Sequence, residues 1–279
     1  MPPFDRPARD SSLLVGGWSV HVLEAGRARH PGSWVGPEHA VDEWIWSPIN
    51  VVLARSGGQT ILIDAGTGIL GPWWPHEGFA CDLDAAVART GTSIDEINRV
   101  ILTHVDFDHV GGLLEGAWPE SLVPVFPGVE VVVMSDAVAA ARAADPDAPL
   151  NAATRAVAVL EEAGVIVEAE DGAEVASGMR LRSAPGHRPG HAMVEIGADD
   201  PLVFLADVFH HTLHAAHPEW DSLADEDPAL ALATRRKVLS ALADTGRPLF
   251  AAHVSAEQPL SVVTDADAWR LEPWAGRVP

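Results

Sequence analysis

Five short apolar runs in this chain each end directly in an aspartate, a histidine or a histidine-containing turn. They are TILI before Asp64, VILT before the segment HVDFDH (104–109), LRSAP before the turn GHRPGH (186–191), LVFLA before Asp207 and LFAA before His253. Apolar runs of this length predict buried β-strands, and loops at strand ends are where a rigid scaffold presents ligands to a common site. The pattern predicts a sheet edge that gathers these side chains.

Strands and helices alternate along the rest of the chain, which predicts an α/β fold with mixed sheets. Predicted strands cover 18–24, 50–55, 60–64, 99–103, 129–134, 166–169, 179–183, 193–196, 202–206 and 249–252. One predicted helix begins near Asp82, and four others cover 94–98, 137–144, 154–163 and 229–243. Ser135 or Asp136 is the expected N-cap of the helix over 137–144. We expect one domain over 1–279, built from two similar halves at about 15–150 and 151–279.

Charge and composition limit the classes of partner and compartment. The net charge of −22 repels phosphate backbones and anionic membranes, so we expect neither nucleic acid nor membrane as a partner. No apolar run approaches the roughly 20 residues that span a bilayer. Cys81 is the only cysteine, and the N-terminal segment MPPFDRPARDSS has no apolar signal core. These features predict a cytoplasmic protein that acts on a small-molecule substrate.

Imidazole and carboxylate groups together are ligands for zinc, iron or manganese. A bridging carboxylate can hold two such ions about 3.5 to 4 Å apart, and two close cations bring the pKa of a shared water to roughly neutral. The same ions stabilise the negative charge of a tetrahedral or phosphorane-like intermediate. The residue types at the five strand ends therefore predict hydrolysis at a binuclear metal site.

Taken together, THVDFDHVGG (103–112), GHRPGH and the strands ending at Asp207 and His253 resemble the metallo-β-lactamase fold hydrolases. The pattern of that family is His-x-His-x-Asp-His followed by three further single ligands. The runs ADVFHH (206–211) and HPEW (217–220) are most similar to the branch that contains methyl parathion hydrolase and related lactonases and esterases. The resemblance implies a four-layer αββα sandwich with two mixed β-sheets, and it is compatible with a homodimer.

The resemblance also implies a role for each motif residue. His104, Asp106 and His191 would bind the first of two divalent metal ions, Asp108, His109 and His253 would bind the second, and Asp207 would bridge them. Asp108 or Asp207 would move a proton during catalysis. Asp64 would orient a ligand histidine or a water, and His187 would be a turn residue that supports His191.

Asp106 departs from the family pattern, because it stands where the second histidine of the first site is expected. A carboxylate is a harder ligand and lowers the net charge of the metal pair by one unit, which favours iron or manganese relative to zinc, the ion otherwise expected. Related flavodiiron proteins carry a glutamate at this place. Aspartate is one methylene shorter, so two alternatives remain open: a metal ligand, or a carboxylate that only hydrogen-bonds nearby.

Other histidines and the tryptophans leave alternatives open. His210, His211, His214 and His217 are interpreted as pocket-wall or surface residues, since Asp207 already supplies the bridge. Five tryptophans cluster in loop-like stretches before the first motif, and they form either an apolar substrate pocket or lid, or part of the core or a dimer surface: Trp34, Trp44, Trp46, Trp73 and Trp74. The chain has no tyrosine, so the tyrosine that assists the carbonyl in many acyl-homoserine lactonases is absent.

Three functions are compatible with these residues. The first is a metal-dependent hydrolase of a small, fairly apolar ester, lactone or phosphotriester, with a metal-bridging hydroxide as the nucleophile. The second is a diiron-type redox protein, which Asp106 suggests. The third is a non-catalytic binding protein with an altered first metal site. The sequence does not identify the substrate or the native metal.

Overall fold

The computed structural model describes residues 7–37, 42, 44–69, 80–117, 121–145, 152–220 and 222–276. Two large mixed sheets face each other, as the resemblance implied. The helices of the first half lie along the first sheet, and one long helix packs on the second. Trp73 and Trp74, two residues of the expected lid, lie outside the described residues.

The first sheet has the strand order β1-β2-β3-β4-β6-β9-β10, with β5 paired to β2. Its strands are β1 (Ser11–Val15), β2 (Trp18–Pro31), β3 (Trp44–Ser56), β4 (Gln59–Ile63), β5 (Ala80–Cys81), β6 (Arg99–Ile101), β9 (Glu130–Met134) and β10 (Ile166–Ala169). A separate hairpin consists of β7 (Leu114–Ala117) and β8 (Ser121–Pro124).

The second sheet has the order β11-β12-β13-β14-β15-β16-β17. Its strands are β11 (Glu174–Ala176), β12 (Met179–Ser183), β13 (Ala192–Ile196), β14 (Leu202–Phe204), β15 (Leu249–Phe250), β16 (Leu260–Asp265) and β17 (Ala268–Pro273). Because β10 pairs with β9 in the first sheet, the boundary between the sheets falls after Ala169 and not near residue 150. The expected single domain over 1–279, with halves at about 15–150 and 151–279, stays a prediction.

The described α-helices are α1 (Leu83–Ala88), α2 (Phe107–Val110), α3 (Ser135–Ala143), α4 (Ala152–Glu162), α5 (Leu213–Ala216) and α6 (Pro228–Thr245). Asp82 caps α1 by accepting from the amide of Ala85. The expected N-cap of α3 is wrong: Ser135 is already the first helical residue, and its hydroxyl donates to Glu170 Oε1. None of the described helices is both long and apolar enough to cross a membrane.

The main core lies between the two sheets. Buried side chains from β3 and β4, such as Leu53 and Leu62, belong to the same apolar cluster as Val194 and Phe204 of the second sheet. Burying a large aliphatic or aromatic side chain of this kind contributes about 1.5–3 kcal/mol. A second, smaller cluster packs α6 residues such as Leu239 against the outer face of the second sheet.

Arg235 of α6 is a buried charge that ties the helix to the loops on the site side of the second sheet. Its guanidinium donates to the carbonyls of Val208 (3.1 Å), Pro218 (2.9 Å) and Trp220 (2.9 Å). It also donates to Asp225 Oδ2 at 3.1 Å, and both side chains are 1% exposed. The helix thus holds the loop that carries Asp225 in place.

Replacing Arg235 by methionine is expected to cost about 3–5 kcal/mol of unfolding free energy, because the buried Asp225 carboxylate loses its guanidinium partner and three buried carbonyls lose their donor. Urea unfolding followed by circular dichroism measures this. The matched control is Arg236→Met at the exposed neighbouring position, expected to change stability by less than about 0.5 kcal/mol. Equal losses in the two variants would contradict the assignment.

Candidate metal centre

The predicted site residues come together at one edge of the two sheets. Strands β4 and β6 are parallel neighbours in the first sheet, and β14 and β15 are parallel neighbours in the second. Parallel neighbours end at the same edge, so the segments that follow them converge there. A backbone bond from Ala192 N to Thr103 O (2.8 Å) joins the two sheets beside the site.

A close approach of backbones brings the Asp64 turn against α2. The amide of Ala65 donates to His109 O (2.7 Å), and the amide of Gly112 donates to Gly66 O (3.0 Å). A Cβ atom on Gly112 would lie 2.0 Å from Ala65 O, so only glycine fits there. The close packing of α2 on the Asp64 turn therefore depends on Gly112.

A first group of ligand atoms surrounds one point with His104, Asp106, His187 and Asp207. The Nε2 of His187 lies 3.4 Å from Asp106 Oδ2 and 3.4 Å from Asp207 Oδ2. The Nε2 of His104 lies 3.7 Å and 3.8 Å from the same two oxygens. Ligands at 2.0–2.1 Å around a tetrahedral ion are separated by about 3.4 Å, which these distances approach.

A second group consists of Asp108, His109, His253 and, again, Asp207. His253 Nε2 lies 3.4 Å from Asp108 Oδ2 and 3.3 Å from Asp207 Oδ2. His109 Nε2 lies 3.9 Å and 3.5 Å from the same atoms. Both groups therefore contain the same oxygen, Asp207 Oδ2, an arrangement that suits a carboxylate bridging two ions through one oxygen.

Unsatisfied polar atoms show that the groups fit cations. Within the described residues, three buried ring nitrogens and one carboxylate oxygen of the two groups have no hydrogen-bond partner: His104 Nε2, His109 Nε2, His187 Nε2 and Asp207 Oδ1. A buried polar atom without a partner costs about 1–3 kcal/mol, so such a cluster needs an explanation. Divalent metal ions would satisfy it, since neutral imidazole and carboxylate are their ligands.

The outward-facing ring nitrogens are each anchored, which turns every Nε2 toward the centre. His109 Nδ1 pairs with Asp64 Oδ2 (2.8 Å) and His187 Nδ1 with Asp225 Oδ1 (3.1 Å). His253 Nδ1 donates to Pro48 O (2.9 Å), and His104 Nδ1 lies 3.0 Å from the Thr103 hydroxyl. Such outer bonds select the tautomer and the ring orientation of metal-binding histidines.

Asp64 has the supporting geometry that the sequence suggested. Its backbone is left-handed (φ 58°), and its carboxylate is fully buried. It accepts from Thr103 N (2.9 Å) and the Thr103 hydroxyl (2.8 Å) in addition to His109. The carboxylate thus orients both a ligand histidine and the segment that leads to His104.

His191 does not match the expectation that it binds the first metal. Its Nδ1–H donates to Ala184 O (2.7 Å), and its Nε2 accepts from the backbone amide of Asp207 (3.1 Å). Both ring nitrogens are occupied, so no lone pair faces the first group. His187, expected only to support the turn, has its Nε2 in the position that His191 was expected to fill.

The sequence contains a signal that favours His187 over His191 as the inward-facing histidine of the turn. The other ligand segments follow strands, and His187 follows β12, whereas His191 immediately precedes β13. Applying the strand-end criterion within the turn GHRPGH would have selected His187. No comparable signal marks Asp225, which lies in the loop between HPEW (217–220) and α6 and does not follow a strand.

The histidines after Asp207 have different environments. His210 is buried, with Nε2 3.4 Å from Asp207 Oδ2, and neither ring nitrogen has a hydrogen-bond partner in the part of the chain described. His214 is buried, and its ring pairs with Val35 O (2.7 Å). His217 stacks on Trp220, with centroids 4.1 Å apart. Of these three histidines, only His210 lies against Asp207 of the ligand groups, and the interpretation as pocket-wall or surface residues stays a prediction.

Burial and neighbouring charges shift the pKa values of the site imidazoles in opposite directions. Burial, reinforced by His187, lowers the pKa of His191 to about 3, which suits its role as an acceptor from the Asp207 amide. Burial also opposes protonation of His187, but Asp106 and Asp225 outweigh it and raise the pKa of His187 to about 9. Likewise, burial disfavours a charged His109, yet Asp207, Asp64 and Asp108 raise its pKa well above the usual value.

Three tryptophans of the expected aromatic cluster lie in described elements: Trp34 ends a short 3-10 helix, and Trp44 and Trp46 belong to β3. Arg29 stacks over Trp44, with Cζ 4.7 Å from the ring centroid, and the Trp34 ring lies 5.7 Å from that of His30. Trp44 is 41% exposed. A cation–π contact accounts for Trp44 without a ligand, so the pocket or lid role stays a prediction.

The fold and the paired ligand groups define a metal-dependent hydrolase class with an αββα sandwich. The profile of the Metallo-beta-lactamase superfamily matches residues 44–253, and the chain belongs to this superfamily.

Solved structures share this fold. AidC, described as a dizinc quorum-quenching lactonase, has a TM-score of 0.84 at 20% identity, over 96% of this chain and 98% of its own. The hydrolase AbOPH has a TM-score of 0.80 at 20% identity, over 96% of this chain and 98% of its own. The AiiA mutant F107W of B. thuringiensis, with N-decanoyl-L-homoserine bound, has a TM-score of 0.67 at 20% identity, over 86% of this chain and 94% of its own.

A curated relative matches only part of the chain. Ribonuclease Z of Mycolicibacterium gilvum (strain PYR-GCK) is 29% identical over 83 residues. These residues are 29% of this chain and span 24% of the ribonuclease, less than a quarter of its length.

Single alanine substitutions distinguish the two histidines of the GHRPGH turn. His187→Ala is expected to lose about one metal equivalent per chain, because it removes an inward-facing Nε2. His191→Ala is expected to keep both equivalents when metal is in excess, although folding stability falls by about 1–3 kcal/mol for the lost buried bonds. Elemental analysis after gel filtration measures the stoichiometry. The reverse pattern would restore the sequence-based assignment.

Proposed function

We propose that this chain is a binuclear metal-dependent hydrolase of small, fairly apolar esters or lactones, with phosphotriesters as a related substrate class. The observation that carries the proposal is the pair of four-residue ligand groups that share Asp207 Oδ2. His104, Asp106 and His187 would hold the first ion, and Asp108, His109 and His253 the second. Zinc is the expected ion, with iron or manganese as alternatives because of Asp106.

Bound ions would supply an acidified water and a positive clamp for the negative charge that develops on the substrate oxygen. The protein contributes orientation, because each ligand histidine is held from behind by a carboxylate, a carbonyl or a hydroxyl. Asp207 Oδ1 has no hydrogen-bond partner among the described residues and could accept a proton from the attacking water. Asp108, 13% exposed at its side chain, is the alternative proton acceptor.

His210 is the group we assign to the leaving oxygen. Burial lowers the pKa of His210, although Asp207 opposes the shift, so the ring is neutral near pH 7 and carries one donor and one acceptor. It lies beside the bridging position at Asp207 and stacks over His253 with ring centroids 5.7 Å apart. This imidazole lies close to both ligand groups, and the chain has no tyrosine. It would take up the proton that Asp207 or Asp108 accepts from the attacking water and would pass it to the leaving oxygen.

Nucleic acid is not the proposed substrate, even though a ribonuclease shares part of the sequence. The net charge of −22 gives long-range repulsion of a polyanion. A diiron redox protein is the second candidate, and the inward-facing Asp106 Oδ2 favours it. Purified protein that contains zinc and no iron would remove this candidate. We keep the expectations of a cytoplasmic location and of a homodimer as proposals.

Protein purified without chelator or affinity-tag metal is expected to contain two divalent ions per chain. It should hydrolyse at least one of an aryl acetate, an N-acyl homoserine lactone and an aryl phosphotriester. Chelation should abolish the hydrolysis and added zinc should restore it. Asp207→Asn, which weakens the bridge, is the inactive reference. Metal-replete protein that cleaves none of the three classes would refute the proposal.

His210→Gln is expected to lower kcat on the order of 100-fold, because general acid–base groups contribute at least about that factor. Its metal content should stay at two equivalents, since the proposed ligand groups are complete without it. Steady-state kinetics with leaving groups of graded pKa checks the role: the loss should shrink as the leaving group becomes more acidic. Loss of a metal equivalent instead would make His210 a ligand.

A further inference from the structure

A permanent cation contacts the Asp106 carboxylate of the first ligand group. Arg188 Nε donates to Asp106 Oδ1 at 3.0 Å. The other oxygen, Oδ2, is the one that faces the Nε2 atoms of His104 and His187. The two oxygens of this single side chain therefore point to different partners: one to the guanidinium, the other to the first ligand group.

The guanidinium is held in place by backbone. Arg188 Nη1 donates to His187 O (2.9 Å) and to Ala224 O. Its side chain is 28% exposed, and that of Asp106 is 19% exposed. Arg188 directly follows His187, so one turn of chain supplies both an imidazole for the first group and the cation that contacts the carboxylate of that group.

The charges of Asp106 and Arg188 together set the net charge at the first ligand group. A carboxylate in the place of a neutral histidine adds one negative charge to the ligands, and this charge weakens the pull of the ion on its water. The guanidinium adds one positive charge at hydrogen-bond distance from the same carboxylate. Arginine is always protonated in proteins, so the compensation does not depend on pH.

We propose that Arg188 is the charge-balancing partner of Asp106, so that the two residues together present the charge of one neutral imidazole to the first metal position. This inference rests on the proposed binuclear function and adds a positioning residue to it. The contact on Oδ1 also orients the short aspartate side chain, which leaves Oδ2 directed at the ion. The carboxylate at position 106 is thus half of an ion pair and not an excess negative charge.

A double-mutant cycle on zinc affinity tests the pairing, with Asp106→His and Arg188→Gln made singly and together. In Asp106→His, the guanidinium faces a neutral ring beside a cation, so the first-site zinc affinity should fall about tenfold or more, as for other residues that support metal ligands. In the double variant it should return to within about threefold of the wild type. Competition titration with a chromophoric chelator resolves the two zinc equivalents, and His253→Ala identifies the one that belongs to the second group.

Two further variants separate charge from structure. Asp106→His combined with Arg188→Lys keeps the positive charge and should stay as weak as Asp106→His alone. Asp106→His combined with Arg182→Gln removes an arginine paired with Glu195 instead of the site and should also stay weak. Circular dichroism of the metal-free proteins establishes that each variant is folded, so a change in zinc affinity is not read from unfolded chain.

The outcomes are distinct. If Asp106→His changes zinc affinity by the same factor whether residue 188 is Arg or Gln, the pair is only a structural salt bridge and the inference is overturned. The proposed hydrolase would survive that result, because wild-type zinc binding and hydrolysis are measured in the same series. A wild-type chain that binds no zinc, iron or manganese would instead remove the proposed function and the inference with it.

Discussion

The buried carboxylate of Asp207 is the group on which both halves of the site depend. Its Oδ2 lies within 3.3–3.8 Å of the Nε2 atoms of His104, His109, His187 and His253. A carboxylate removed from water is costly unless positive charge compensates for it. Burial alone would raise the pKa of Asp207, but His253 and His109 hold it well below its usual range. Two cations would supply this compensation and would let the surrounding imidazoles be neutral.

The same site joins the two sheets. His253 follows a strand of the second sheet but is anchored by Pro48 O in β3 of the first. Asn50 of β3 donates through Nδ2 to the carbonyls of Ala251 (2.9 Å) and Val254 (2.6 Å) in the second half. The ligand groups therefore keep their geometry only while the sheets stay in register with each other, so fold stability and metal binding are expected to be coupled.

Much of this arrangement could be predicted, because apolar runs indicate buried strands and residue type indicates which side chains can bind a metal. Strands β10 and β12 have the predicted bounds, and Asp64, Asp108, His109, Asp207 and His253 lie where the strand-end pattern placed them. Partly exposed strands were missed, among them β1, β16 and β17, because few of their side chains are buried and their place in a sheet depends on pairing with a neighbouring strand. The local sequence also could not show that β2 extends from Trp18 to Pro31, since that length depends on pairing with β3.

The sequence by itself determined the superfamily and the chemical nature of the ligands, because those follow from residue types and their order along the chain. Only the tertiary structure decided which histidine of the GHRPGH turn faces the centre, because that depends on the bonds of His191 to Ala184 and Asp207. It likewise decided the environment of Asp106, since Arg188 lies 82 positions away in the chain and reaches it only when the two sheets pack face to face. Residue identity sets what a side chain can bind, and packing sets which of its atoms is free to do so.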